Sequence, residues 1–89
     1  MKLTPLLLLI PLLSGAALAD PQCTQADKSK WMSEADSQQK IKAMGYDIKK
    51  FKVTETNCYE IYGWDKDKRK VEIYFDPTDL KKVKEEIDE

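Results

Sequence analysis

Cys58 to Pro77 reads CYEIYGWDKDKRKVEIYFDP. Tyr59 and Ile61, then Val71, Ile73 and Phe75, alternate with polar or amphipathic residues, which is the period of a half-buried strand. The run DKDK between them is a charged turn. Directly opposed residues of an antiparallel pair share a face. Ile61 is therefore expected opposite Ile73, and Tyr59 opposite Phe75. That register sets Asp65 against Arg69 and leaves Lys66-Asp67-Lys68 as the loop. A slip of one residue would oppose Ile61 to Glu72, which the apolar pattern forbids. Tyr62, Trp64 and Tyr74 then share the other face with Glu60, Lys70 and Glu72.

Upstream, Tyr46 to Thr54 reads as a strand with a change of phase. Tyr46 and Ile48 have one parity, Phe51 and Val53 the other, and Lys49-Lys50 lies between them. A β-bulge there turns all four toward one core; otherwise Tyr46-Asp47 is connection and the strand starts near Lys49. Glu55-Thr56-Asn57 fits a three-residue hairpin loop with Asn57 left-handed. Val53 then faces Tyr59, and Phe51 faces Ile61. Before this strand, Ser33 to Met44 is rich in helix formers. Ser33 suits an N-cap that accepts from the Asp36 amide, acids follow in the first turn, and Gly45 suits the left-handed stop. The apolar stripe is thin, Ile41 and Met44 with Ala35 at its margin and Trp31 just before it. Such a helix holds only by docking on the sheet. Beyond Phe75 two readings stand. Asp76-Pro77 can start a helix, with Leu80, Val83 and Ile87 at helical spacing, or Pro77-Thr78-Asp79 is a turn before a short strand from Leu80 to Val83. The fold class is thus α+β: an N-terminal helix packed on a three-stranded antiparallel meander, helix first, with the tail a short helix or an extra strand.

The chain has 89 residues and opens MKLTPLLLLIPLLSGAALAD. Lys2, the apolar run Leu6 to Leu13, and Ala17-Leu18-Ala19 make a secretory signal peptide over residues 1–19, with cleavage after Ala19. The run is too short, and broken by Pro11, for the roughly 20 apolar residues of a spanning helix. Residues 20–30 are then a polar arm and residues 31–89 the folded domain. Removing the first 19 of 89 residues leaves 70, with 14 basic and 16 acidic side chains. No basic patch for nucleic acid stands out. A core this small supplies about 3–5 kcal/mol at best and calls for a staple. Cys23 and Cys58 are the only cysteines, and in an oxidising compartment they allow one pairing. Their distance in sequence is unlike a C-x-x-C redox pair. The arm is expected to be tied down only through Cys23.

Little chemistry is visible. There is no histidine, the commonest general base and metal ligand. Asp65-Lys66-Asp67 begins like a calcium loop but lacks its Gly and distal Glu. Glu60 and Glu72 neighbour each other on the outer face. An open sheet face gives no cleft to shift their pKa values, so they read as solvated carboxylates balancing Lys70 and Lys52. Neither catalytic nor metal-binding nor cofactor-binding residues are expected. Tyr62, Trp64 and Tyr74 are the candidate partner-docking patch. The plainer accounts are cross-strand packing with Lys70 over Trp64, or an N-terminal arm drawn over this face by Cys23.

GYDIKKFKV followed by NCYEIYGWDKDKRKVEIYFDP resembles the PepSY domain family, in particular its small stand-alone exported members. The matching features are Trp31 before the helix, Gly45-Tyr46 after it, Cys58-Tyr59-Glu60, and Val71 to Pro77, so the likeness covers about Trp31 to Val83. Many relatives carry Gly in the second hairpin turn, where this chain has Lys68. The resemblance implies a helix on an antiparallel sheet, a closing strand at Leu80-Lys81-Lys82-Val83, and neither catalytic group nor cofactor. It also implies a periplasmic or secreted protein-binding module whose partner is another exported or membrane protein, for instance a peptidase it modulates. The alternative is an accessory of a membrane electron-transfer or metal-handling system.

Overall fold

The computed structural model describes residues 20–88. The leader read over residues 1–19, and its cleavage after Ala19, lie outside them. A single-turn 3-10 helix, Lys28–Lys30, precedes helix α1, Glu34–Ala43. Strands β1 (Asp47–Val53), β2 (Tyr59–Trp64), β3 (Lys70–Phe75) and β4 (Lys82–Asp88) follow, and they form one antiparallel sheet in chain order. The expected three-stranded meander is β1 to β3, and the tail adds a fourth strand, the second of the two readings open for it.

The central register is as the alternation requires. Ile61 pairs with Ile73, Tyr59 with Phe75, Phe51 with Ile61 and Val53 with Tyr59. The phase change in β1 is a bulge: pairing passes from Ile48–Gly63 to Lys50–Tyr62, leaving Lys49 as the extra residue. Tyr46, Ile48 and Phe51 consequently all pack against the core. Asn57 at the first hairpin and Lys68 at the second both have φ 64°. Lys68 holds its turn without glycine because Asp65 organises it. The Asp65 carboxylate accepts from the Asp67 and Arg69 amides, both at 2.9 Å, and from the Arg69 guanidinium Nε at 2.9 Å.

Ser33 caps α1, accepting from the Asp36 amide at 3.1 Å. Ile41 and Ser37 are the residues the helix buries fully. Met44, expected in the stripe, is exposed: it is the C-cap, already turning away toward Gly45 at φ 107°. The start of the helix is fixed by what precedes it. The Met32 amide donates to Pro77 O at 2.9 Å, the Tyr59 hydroxyl donates to Met32 O at 2.7 Å, and Trp31 meets Tyr59 edge-on at 5.7 Å. The core is Ile41, Tyr59, Ile61, Val71, Ile73, Phe75 and Leu80. Val53 is not in it, standing 39 % exposed as the last residue of the edge strand β1. Ile73 is fully buried, so Ile73→Val is expected to cost about 1 kcal/mol, measurable as a lower urea midpoint at unchanged slope.

The tail corrects the helical reading of Leu80, Val83 and Ile87. The Asp76 carboxylate accepts from the Thr78 amide at 2.9 Å and the Thr78 hydroxyl at 2.6 Å, making Pro77–Asp79 a turn. Leu80 takes φ 63° and drops its side chain into the core. The strand starts only after it, at Lys82, later than the expected Leu80. Once β4 pairs with β3, Ile87 lies opposite Val71, and Val83 and Ile87 remain partly in solvent.

Candidate functional site

Cross-strand pairing builds the outer face of the sheet in rows. Lys52, Glu60, Tyr74 and Lys84 make one; Lys50, Tyr62, Glu72 and Glu86 the next; Asp47, Trp64, Lys70 and Asp88 the third. Tyr62 and Trp64, two apart on β2, stand half-exposed on an open depression. Lys49 and Lys50 border it on the β1 side, Glu86 and Asp88 on the β4 side, with Lys70 and Glu72 between. The cation over Trp64 is Lys49, its Nζ 6.0 Å from the ring, not the expected Lys70. The bulge is the reason, since it adds Lys49 to the edge beside Trp64 while Lys70 occupies the register position opposite.

Tyr74 differs from the other two aromatics. It is 5 % exposed, and its hydroxyl lies 2.9 Å from Glu72 Oε2 and 3.1 Å from Asp20 Oδ1. The arm makes this cover. Asp20 sits at Tyr74, Cys23 is bonded to Cys58, the Cys23 amide donates to Thr56 O at 3.1 Å, and the Asn57 side-chain amide donates to Thr24 O at 3.1 Å. From there the chain passes the β1–β2 turn to Trp31 on the inner face, where the Trp31 indole donates to Ala26 O at 3.1 Å. Cys23 is thus not the arm's only tie. Of the three aromatics, the structure leaves Tyr62 and Trp64 together in the open and puts Tyr74 under Asp20.

Glu60 is the largest departure from the sequence reading. It is 2 % exposed, and its Oε2 has no hydrogen-bond partner among the described residues. Burial pushes its carboxyl up, and a hydrogen bond to Glu72 pushes it further in the same direction. Glu72 moves the opposite way, held down first by that same bond from Glu60. The two carboxyls therefore ionise as a pair, Glu60 the harder and Glu72 the easier to charge, as like charges sharing a low-dielectric site do. The hydrogen bond to Glu60 raises the Tyr62 hydroxyl, and burial followed by the bond to Glu72 raises that of Tyr74, so both phenols stay protonated donors. One signal for this lay in the sequence: Cys58, Glu60 and Tyr62 have the same parity. The cysteine that tethers the arm thus stands two residues from Glu60 on the same face.

This cluster can hold a proton between two carboxyls or neutralise a cation. Among the described residues no group of three or more His, Cys, Asp or Glu side chains is placed to hold a metal ion. No helix among them is long and apolar enough to cross a membrane. No curated protein and no solved structure matches the chain. A family model described as peptidase propeptide and YPEB domain matches residues 3–86. That match runs through the helix, the meander and β4, and it agrees with the residues around Cys58 and Val71 to Pro77: the chain belongs to the PepSY family of peptidase propeptide and YPEB domains.

Proposed function

We propose that this chain is an exported, non-catalytic module that docks on a peptidase and restrains it, with Tyr62 and Trp64 as the contact. Domains of this family are associated with peptidase propeptides, are generally non-catalytic, and are typically extracellular or periplasmic. The observation that carries the reading is the open depression on the outer face. Two neighbouring aromatics stand half-exposed there on the interior strand β2, with lysines on one border and carboxylates on the other. Aromatic anchors ringed by polar groups are the side chains that dominate interface energies, at 2 kcal/mol or more each for the strongest. Tyr74 contributes by holding the arm and Glu72 in place behind them.

The test uses the purified exported protein added to the peptidases of the same exported fraction, with hydrolysis of an unfolded protein substrate as readout. The chain is expected to slow hydrolysis. Tyr62→Ser with Trp64→Ala is expected to weaken this at least tenfold in the concentration required, with little change in melting temperature. Undiminished hydrolysis with the native chain removes the peptidase reading. Full restraint by the double variant removes the outer face as the contact.

A further inference from the structure

We propose that the Glu60–Glu72 carboxyl pair is a receptor for the α-ammonium group that cleavage between Ala19 and Asp20 would set free. Processing would then complete the fold by bringing a cation to this pair. The inference rests on the export reading above, but not on the choice of partner.

The chemistry of the site asks for a cation. Asp20 and Glu72 converge on the one Tyr74 hydroxyl, which lies within hydrogen-bonding distance of both Asp20 Oδ1 and Glu72 Oε2 and has a single proton to donate, and Glu60 is the register partner of Tyr74 on the same face. Among the described residues Glu60 Oε2, one of the two oxygens of that buried carboxyl, has no hydrogen-bond partner. Among the described residues no lysine lies within ion-pairing distance of Glu60 or Glu72. Lys84, the nearest in effect, is paired with Glu86 at 3.2 Å. The groups facing the pair are Lys50 and Lys52 from β1, Tyr62 from β2, Tyr74 from β3, Lys84 and Glu86 from β4, and Asp20 from the arm. A buried carboxylate without a partner is costly, and such groups are found protonated or paired.

The chain itself can deliver a cation. Asp20 is held at Tyr74, and three residues later the arm is fixed by the disulfide and by the Cys23 amide on Thr56 O. While Ala19 is attached, the nitrogen of Asp20 is a neutral amide with one N–H. After hydrolysis of that bond it is an ammonium with three. A cation beside the pair favours ionisation of both carboxyls. The sign for stability follows. An α-amino group raised by this pairing stabilises the fold fully below its ordinary value of about 7.7–8.0, and the gain is lost as pH rises through the raised value.

Cys23 permits a direct test on the exported form. The peptide Asp20-Pro21-Gln22 is joined by ligation to a chain beginning at Cys23, once with a free α-amino group and once acetylated, and both products are oxidised. The native exported protein is sequenced from its N-terminus alongside. The free amine is expected to titrate about one unit above its ordinary range by NMR. Near pH 6.5 the acetylated form is expected to melt about 5 °C lower, with the difference gone above about pH 10. Both effects should vanish in Glu60→Gln. An ordinary amine pKa, an acetylation penalty that persists in Glu60→Gln, or an exported chain that does not begin at Asp20 each overturns the proposal. The Tyr62 and Trp64 double variant should keep the raised amine, so failure of the docking reading is read separately.

Discussion

Cys23→Ala is expected to lower the melting temperature by about 15–25 °C, and reductant should do the same to the native protein. The bond closes a loop of sequence separation 35. In the chain-entropy account, losing a link of that length returns roughly 4 kcal/mol of freedom to the unfolded state. For a domain this small, each kcal/mol is worth about 4–8 °C. The effect is comparable to the whole of what a core of this size yields, about 3–5 kcal/mol. Cys23 is the position to change, since Cys58 is fully buried and replacing it would add a packing defect. The native hairpin should survive the change. The Thr54 amide donates to Cys58 O at 2.9 Å, and the Cys58 amide donates to the Thr54 hydroxyl at 3.0 Å, both independent of the sulfur. Because the loss acts on the unfolded ensemble, the urea slope should rise as that ensemble expands. Equal melting with and without reductant would show that the staple contributes nothing.

What the sequence made legible was local. Ile61 and Ile73 set the register because a slip would bury Glu72. The break in parity at Lys49-Lys50 located the bulge, and Asn57 took the left-handed position its side chain tolerates. What stayed hidden depended on contacts far apart in the chain. The spacing of Leu80, Val83 and Ile87 is that of a helix, yet Leu80 belongs to the turn, where a positive φ separates it from the strand that carries the other two. Glu60 reads as a solvated strand residue by alternation alone. It is buried on the face where the arm's Asp20 meets Tyr74, a contact across 54 positions that alternation does not show. For the same reason Tyr74 could not be told from Tyr62 and Trp64 by parity. The candidate site was thus half readable: the face and two of its aromatics came from the period of the strands, the burial of Glu60 did not.

Gly63→Ala is expected to destabilise the fold by about 3 kcal/mol or more, at the top of the range for overpacking and against the intrinsic preference of a strand. In an unconstrained strand interior alanine is favoured over glycine by roughly 0.5–1 kcal/mol, so the sign here depends on geometry. Gly63 pairs with Ile48 at the last step before the bulge, where the extra Lys49 presses β1 onto β2. A Cβ at Gly63 would stand 2.0 Å from Asp47 O, 3.0 Å from Asp47 C and 3.2 Å from Ile48 Cα. These are backbone atoms, and none can rotate away. Either β1 shifts by more than 1 Å, breaking its ladder bonds on the edge of the sheet, or the bulge dissolves and Ile48 leaves the core. Gly45 is the informative control. Its φ of 107° is strained for alanine, but the nearest atom to an added Cβ is a flexible Lys66 carbon at 3.7 Å. Gly45→Ala should therefore cost only about 1–2 kcal/mol, from backbone strain alone. In Gly63→Ala the displaced β1 also carries Lys49 away from Trp64, so the indole fluorescence of the folded state should change, which Gly45→Ala should not cause. A Gly63→Ala protein that melts with the native one, its tryptophan signal unaltered, would mean that β1 does not pack against β2 as closely as this bulge requires.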